Sequence, residues 1–301
     1  MALGVVVVFG ACSSETTSPS DESGAGGGGG AGSSGSSGSS GASGSSGGGD
    51  APAGASVTTT HETLTFGGVE RRYILSVPND YDPGRAYPLV MEFHGNPGTA
   101  QGMLDAFPFD RASQGEAIVV YPNAAGQDWD LYSATDQNPD MPYVKAVIEA
   151  VGAKYSVDAS RVLGFGWSGG AFFVNQLACR FPGLFKAIAP QAGGAPEEPM
   201  LANAEKLPNG YLKCSGKVAA IVGHGDADDV VAPASGEFSA MYWAYVNGCG
   251  EGRSETSPAP CQKYDGCPAA LPVHLCKIPG LKHPPWAQAQ AASWAFFRAL
   301  P

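Results

Sequence analysis

From about residue 58 the chain divides into short blocks whose apolar positions repeat with a period of two or of three to four. Residues 61–66 and 70–77 alternate apolar and polar side chains on either side of Gly67-Gly68, the pattern of an antiparallel hairpin. Residues 88–93 and 117–121 are short apolar runs, as expected of strands covered on both faces. Tyr143, Val144, Val147, Ile148 and Val151 recur at helical spacing behind Asp140, which stands where a helix cap belongs. An apolar, β-prone run over 161–166 leads directly into a helix that reaches about Phe181. Further strands are expected at 185–189, 217–222 and 273–278, and further helices at 233–246 and 286–299. Strands alternating with helices predict an α/β domain with a mostly parallel central sheet, helices on both faces and an antiparallel N-terminal hairpin.

Before residue 58 this patterning stops. Residues 13–57 are almost entirely Ser, Gly, Ala and a few acids. They carry too little apolar surface to fold and are expected to form a flexible linker ahead of a folded domain over 58–301. Residues 1–12 are a separate segment. The apolar run Leu3-Gly-Val-Val-Val-Val-Phe9 ends in Gly10-Ala11-Cys12, and polar residues follow. This resembles the lipobox of a bacterial lipoprotein, although no positively charged residue precedes the run. The resemblance implies cleavage before Cys12 and acylation at that residue, so that the only membrane contact is a lipid anchor. An ordinary secretory signal is the alternative. Both readings export the chain.

Export changes how the remaining cysteines are read. Cys179, Cys214, Cys249, Cys261, Cys267 and Cys276 are even in number, which in an exported protein favours disulfides. No histidine stands at zinc-like spacing from a cysteine pair, so neither metal nor cofactor is expected. Cys179–Cys214 is the expected first bridge, with the last four cysteines pairing among themselves in one of three ways. A formal charge of −11 and a pI near 4.8 argue against nucleic acid as partner. A monomer acting on a small or polymeric substrate is expected.

The candidate chemistry lies at strand ends. Gly166-Trp167-Ser168-Gly169-Gly170 falls between an apolar strand and a helix, the setting of a nucleophile elbow. The helix N-terminus behind Ser168 offers unpaired N–H groups to a developing oxyanion. His224-Gly225-Asp226-Ala227-Asp228-Asp229 follows one later strand, and Lys282-His283-Pro284 follows the last. The order Ser, Asp, His suits a serine nucleophile, its carboxylate and its base. Of the five histidines, His61 and His274 lie within strands, while His94 and His224 close strands in His-Gly pairs and read as structural. His283 alone follows the last strand on a loop, where the base belongs. Asp226, Asp228 and Asp229 remain open as the acid on these grounds. Trp129 and Trp286 are candidates for aromatic walls of a substrate site, with core packing as the alternative.

Taken together, 88–96, 157–162, Leu177-Ala178-Cys179-Arg180, His224 to Asp228 and Asn247-Gly248-Cys249 through Cys276 to His283 resemble secreted feruloyl esterases and polyhydroxybutyrate depolymerase-like serine esterases. The resemblance spans nearly everything from residue 60 onward. It implies an α/β-hydrolase fold and ester hydrolysis, with Ser168 as nucleophile, Asp228 as acid, His283 as base, and the backbone N–H groups of Gly169 and Asn96 as oxyanion donors. Plant cell-wall esters are the substrates it implies first. A short-chain polyester is the alternative, and a catalytically silent lipoprotein that binds sugar or peptidoglycan is the alternative of another class. Two departures from the family pattern stand out. Glu92 occupies a strand position that is usually apolar, and Lys282, Pro284 and Pro285 surround His283 in place of glycines.

Overall fold

The computed structural model describes residues 56–196 and 205–301. Cys12 and almost all of the expected linker lie outside these residues. The strands β1 (Val57–Phe66), β2 (Val69–Pro78), β3 (Tyr87–Phe93), β4 (Ile118–Pro122), β5 (Val157–Trp167), β6 (Ala187–Gln191), β7 (Ala219–Gly225), β8 (Arg253–Glu255), β9 (Cys261–Tyr264) and β10 (Val273–Ile278) form one sheet in the order β1-β2-β4-β3-β5-β6-β7-β10-β9-β8. The central run from β4 to β10 is parallel, and antiparallel strands flank it on both sides.

Alternation along each strand sorts the core into two layers. Leu89, Met91 and Phe93 of β3, with Val218, Ala220 and Val222 beside and along β7, join one cluster. The helices α3 (Met141–Lys154), α4 (Gly169–Arg180) and α5 (Pro233–Asn247) cover that face through Val144, Val147, Phe173, Leu177 and Trp243. Val90, Val119, Phe165 and Ile221 point the other way, into a cluster closed by α1 (Ala100–Ala106), α2 (Phe109–Ser113) and α6 (Ala289–Arg298). The α1 and α2 helices have 7 and 5 residues, too short for a period to show in the sequence. Thr99 starts α1 by accepting the Gly102 N–H at 3.0 Å on its hydroxyl.

Asp140 does not cap α3 with its side chain, contrary to the sequence expectation. Asn138 takes that task, its Oδ1 accepting the N–H groups of Asp140 and Met141, both at 2.9 Å. The Asp140 carboxylate is committed elsewhere, to the Arg71 guanidinium at 2.7 Å and to the N–H groups of Ala125 and Asp130 at 2.7 and 2.9 Å. Arg71 in turn donates to the carbonyls of Asn123 and Pro139. A buried pair satisfied on all sides in this way ties β2 to the loop between β4 and α3. Removing either partner leaves the other charge stranded, at a cost of about 3–5 kcal/mol.

Disulfides join Cys179 to Cys214, Cys249 to Cys267, and Cys261 to Cys276. The first is the expected bridge, and the other two settle which pairing the last four cysteines adopt. Three bridges fit an oxidising, extracellular compartment. Glu92, the departure noted in β3, is wholly buried on the α2 and α6 side. The Tyr121 hydroxyl and Gln290 amide are its neighbours, yet neither carboxyl oxygen makes a hydrogen bond of good geometry among the described residues. Burial holds its pKa well above the ordinary carboxyl value.

Candidate active site

Ser168 leaves β5 with φ 52° and ψ −118°, a conformation few side-chain-bearing residues adopt. Its N–H donates to the Gln191 carbonyl at 2.9 Å, and its own carbonyl accepts the Ala171 N–H at 2.9 Å. Glycine is required on both sides by close approach. A Cβ at Gly166 would stand 2.2 Å from the Gly170 carbonyl oxygen, and one at Gly170 would stand 2.2 Å from that of Phe93. Strand, turn and helix therefore pack more tightly here than any side chain allows.

The loop after β3 runs against this turn, so that a Cβ at Gly95 would be 3.5 Å from the Ser168 Cβ. Asn96 grips the Trp129 peptide with both side-chain atoms: Oδ1 accepts its N–H at 3.1 Å, and Nδ2 donates to its carbonyl at 3.4 Å. The amide also lies against Gly169, where a Cβ would be 2.3 Å from Asn96 Cγ. The backbone N–H groups of Asn96 and Gly169 donate to no acceptor among the described residues.

Of the two uses the sequence left open for Trp129, core packing is the one its burial supports. Trp129 is 2 % exposed, stacks on Phe173 at 4.4 Å and on His94 at 4.7 Å, and donates its indole N–H to the His94 carbonyl at 2.8 Å. Its work is to brace the loop that carries Asn96. His94 is held as a neutral ring, with Nδ1 donating to the Gly95 carbonyl at 2.7 Å and Nε2 accepting the Ala124 N–H at 3.3 Å. Burial keeps its pKa low, against the opposing hydrogen bond to Gly95. Trp286 is half-buried and packs against the core on the α6 side.

The loops after β7 and β10 are laced together. Asp226 N–H donates to the Ile278 carbonyl at 3.0 Å, Ala227 N–H to that of Leu281 at 3.1 Å, and Gly280 N–H to the Asp226 carboxylate at 2.6 Å. Asp229 is exposed and pairs with Lys282 at 3.0 Å. Of the three candidate acids, Asp228 alone meets His283, whose Nδ1 lies 2.9 Å from Oδ2 and 3.2 Å from Oδ1. Asp228 Oδ1 also accepts the N–H groups of Val230 and Val231 at 2.9 and 3.0 Å. Burial works to raise the Asp228 pKa. The bonds from His283, Val230 and Val231 outweigh it, so the carboxyl ionises below its ordinary value.

His283 Nε2 lies 2.9 Å from Ser168 Oγ. With Asp228 ionised, Nδ1 must carry the imidazole proton, which leaves Nε2 free to accept the serine hydroxyl. Trp167, to which the sequence assigned no role, donates its indole N–H to the His283 carbonyl at 3.0 Å, with the two rings 5.4 Å apart. No sequence signal marks that contact, because it joins residues 116 positions apart in the chain. His61 pairs with Ile74 in the hairpin, and His274 packs on Phe296 of α6, so neither takes part.

Residues 113–196, from α2 through Ser168, match the prolyl oligopeptidase family. An acetyl xylan esterase from Aspergillus awamori superposes with a TM-score of 0.62 at 20% identity, over 79% of this chain and 99% of that one. This chain has the α/β-hydrolase fold. Among sequence relatives of this chain, a probable feruloyl esterase C of Aspergillus clavatus is 31% identical over 145 residues, 44% of this chain and 51% of that protein. Feruloyl esterase B of Piromyces equi is 24% identical over 234 residues, 71% of this chain and 42% of that protein. The chain thus spans about half the length of these relatives, or less. In open α/β sheets, ligands bind just beyond the carboxyl ends of the strands. Asn96, Ser168, Asp228 and His283 all stand there.

Proposed function

We propose that the protein is an exported serine carboxylic-ester hydrolase of the feruloyl-esterase type, with Ser168 as nucleophile, His283 as base and Asp228 as acid. One observation carries this reading: His283 bridges Ser168 Oγ and the Asp228 carboxylate with 2.9 Å on either side. Relatives named as feruloyl esterases, and a fold neighbour named as an acetyl xylan esterase, support an ester of the plant cell wall as substrate.

In this reading Ser168 attacks the ester carbonyl while His283 Nε2 takes its proton. Asp228 stabilises the imidazolium, and the N–H groups of Asn96 and Gly169 hold the oxyanion in the tetrahedral intermediate. His283 returns the proton to the departing alcohol. It then draws a proton from the water that attacks the acyl-enzyme, which releases the acid and restores Ser168. The enzyme in this reading is a monomer tethered through an acylated Cys12. Labelled palmitate should enter the protein, and Cys12→Ala should abolish its uptake.

The decisive experiment pairs fluorophosphonate labelling with a panel of methyl ferulate, acetylated xylan and hydroxybutyrate oligomers. We expect an adduct on Ser168, none in Ser168→Ala, and turnover of methyl ferulate. An equal adduct in Ser168→Ala would overturn the enzyme reading, and activity on the oligomers alone would overturn the substrate class.

A further inference from the structure

His224 stands four residues before Asp228, at the end of β7, with a side chain 2 % exposed. Its Nε2 lies 3.1 Å from the Val231 carbonyl oxygen and 3.1 Å from Asp228 Oδ2. The carbonyl only accepts, and so does an ionised carboxylate, so the nitrogen between them carries the proton. The other nitrogen, Nδ1, is buried with no hydrogen-bond partner among the described residues. It faces the first turn of α5, where a Cβ at Gly236 would be 2.3 Å away. A second proton on the ring would bury an unsatisfied N–H against that helix, so the pocket selects the neutral ring. Burial accordingly lowers the His224 pKa, ahead of the opposing pull of Val231 and Asp228.

We infer that His224 is a positioning residue of the active site: its fixed Nε2–H clamps the turn from Asp228 to Val231 and holds the carboxylate oxygen that meets His283. Asp228 Oδ2 is the atom shared by both rings, 2.9 Å from His283 Nδ1 and 3.1 Å from His224 Nε2. Oδ1 is anchored by Val230 and Val231. Without the N–H of His224 the carboxylate keeps its backbone anchors on Oδ1, but Oδ2 is then held by His283 Nδ1 alone, and the imidazole's partner is less firmly fixed. This inference rests on the reading of Ser168, His283 and Asp228 as a catalytic set.

The test separates the hydrogen-bond donor from the volume of the ring. His224→Phe fills the space without an N–H, whereas His224→Gln places an amide N–H near the position of Nε2. We expect kcat on methyl ferulate or an aryl acetate to fall about 10- to 100-fold in His224→Phe, the worth of one hydrogen bond to a charged group, with KM nearly unchanged. His224→Gln should recover most of that loss even where its melting temperature is the lower of the two. Should His224→Phe not fold, His224→Met supplies the apolar comparison. Wild-type kcat in the apolar variant, or equal losses in the apolar and Gln variants, would overturn the inference. A wild-type protein with no Ser168-dependent turnover would overturn the catalytic set itself, an outcome read independently from Ser168→Ala.

Discussion

Replacing Asn96 by Ala probes a proposed oxyanion donor that cannot be mutated directly, because that donor is a backbone N–H. The substitution deletes the amide that spans Gly169 and the Trp129 peptide and leaves the Asn96 N–H in place. Its cost to stability comes from the N–H of the buried Trp129, which loses its acceptor at 3.1 Å. One unsatisfied buried donor is worth about 1–3 kcal/mol. In a domain of this size that lowers the melting temperature by several degrees. The catalytic cost has an upper bound. Full loss of one oxyanion donor costs about 2.7–4 kcal/mol, or roughly 10²–10³ in kcat. Here the donor is loosened instead of removed, and a misplacement of about 1 Å is itself worth about 10²-fold. We therefore expect kcat for an aryl acetate to drop by about 10², with KM changing less than about threefold, because the donors act on charge that develops after binding. Kinetics should be run beside thermal melts, with active sites counted by fluorophosphonate titration. A kcat within about threefold of wild type, with melting lowered as expected, would refute the reasoning and reduce Asn96 to a structural tie.

Two further predictions follow from groups away from the reacting atoms. Glu92 has its folded-state pKa raised by burial above the ordinary 4.5. Below that pH both states hold the proton. Above it the unfolded chain releases a proton the folded one keeps, and stability declines until the folded pKa is passed. Glu92→Gln should remove this decline, so its advantage over wild type grows by about 1.4 kcal/mol per pH unit above 4.5; a difference in melting temperature that stays flat between acid and neutral pH would refute it. The Cys261–Cys276 bridge closes a loop of sequence separation 15 onto β10, the strand that delivers His283. Cys261→Ala/Cys276→Ala should cost about 3 kcal/mol by loop entropy, and activity should be lost at a lower temperature than overall helicity; coincident loss of the two would count against a local effect on the His283 loop.

Most of the architecture was legible along the chain because it depends on local periodicity. Apolar runs of strand length, helical spacing after Asp140 and the glycines around Ser168 are short-range signals, and the strands they mark form the parallel core. The position of His283 could be read because chain order alone sets it after the last strand. The resemblance to feruloyl esterases was also legible, and relatives bearing that name are found.

What tertiary structure decided were partnerships between distant segments. Asp226, Asp228 and Asp229 are equivalent as letters. They differ because β7 and β10 pair in parallel and lace their loops together, leaving Asp226 bound to Gly280, Asp229 to Lys282 and Asp228 to His283. Asp140 looked like a cap and serves Arg71 instead, because a buried guanidinium demands a carboxylate more strongly than a helix end does. Trp129 could have walled a substrate site or packed in the core, and it packs in the core and braces Asn96. Its backbone is held by that side chain while its ring fills the core beneath. In each case the residue type offered several physically sound uses. Only the neighbours brought in by folding, with buried polar groups that had to be satisfied, selected one of them.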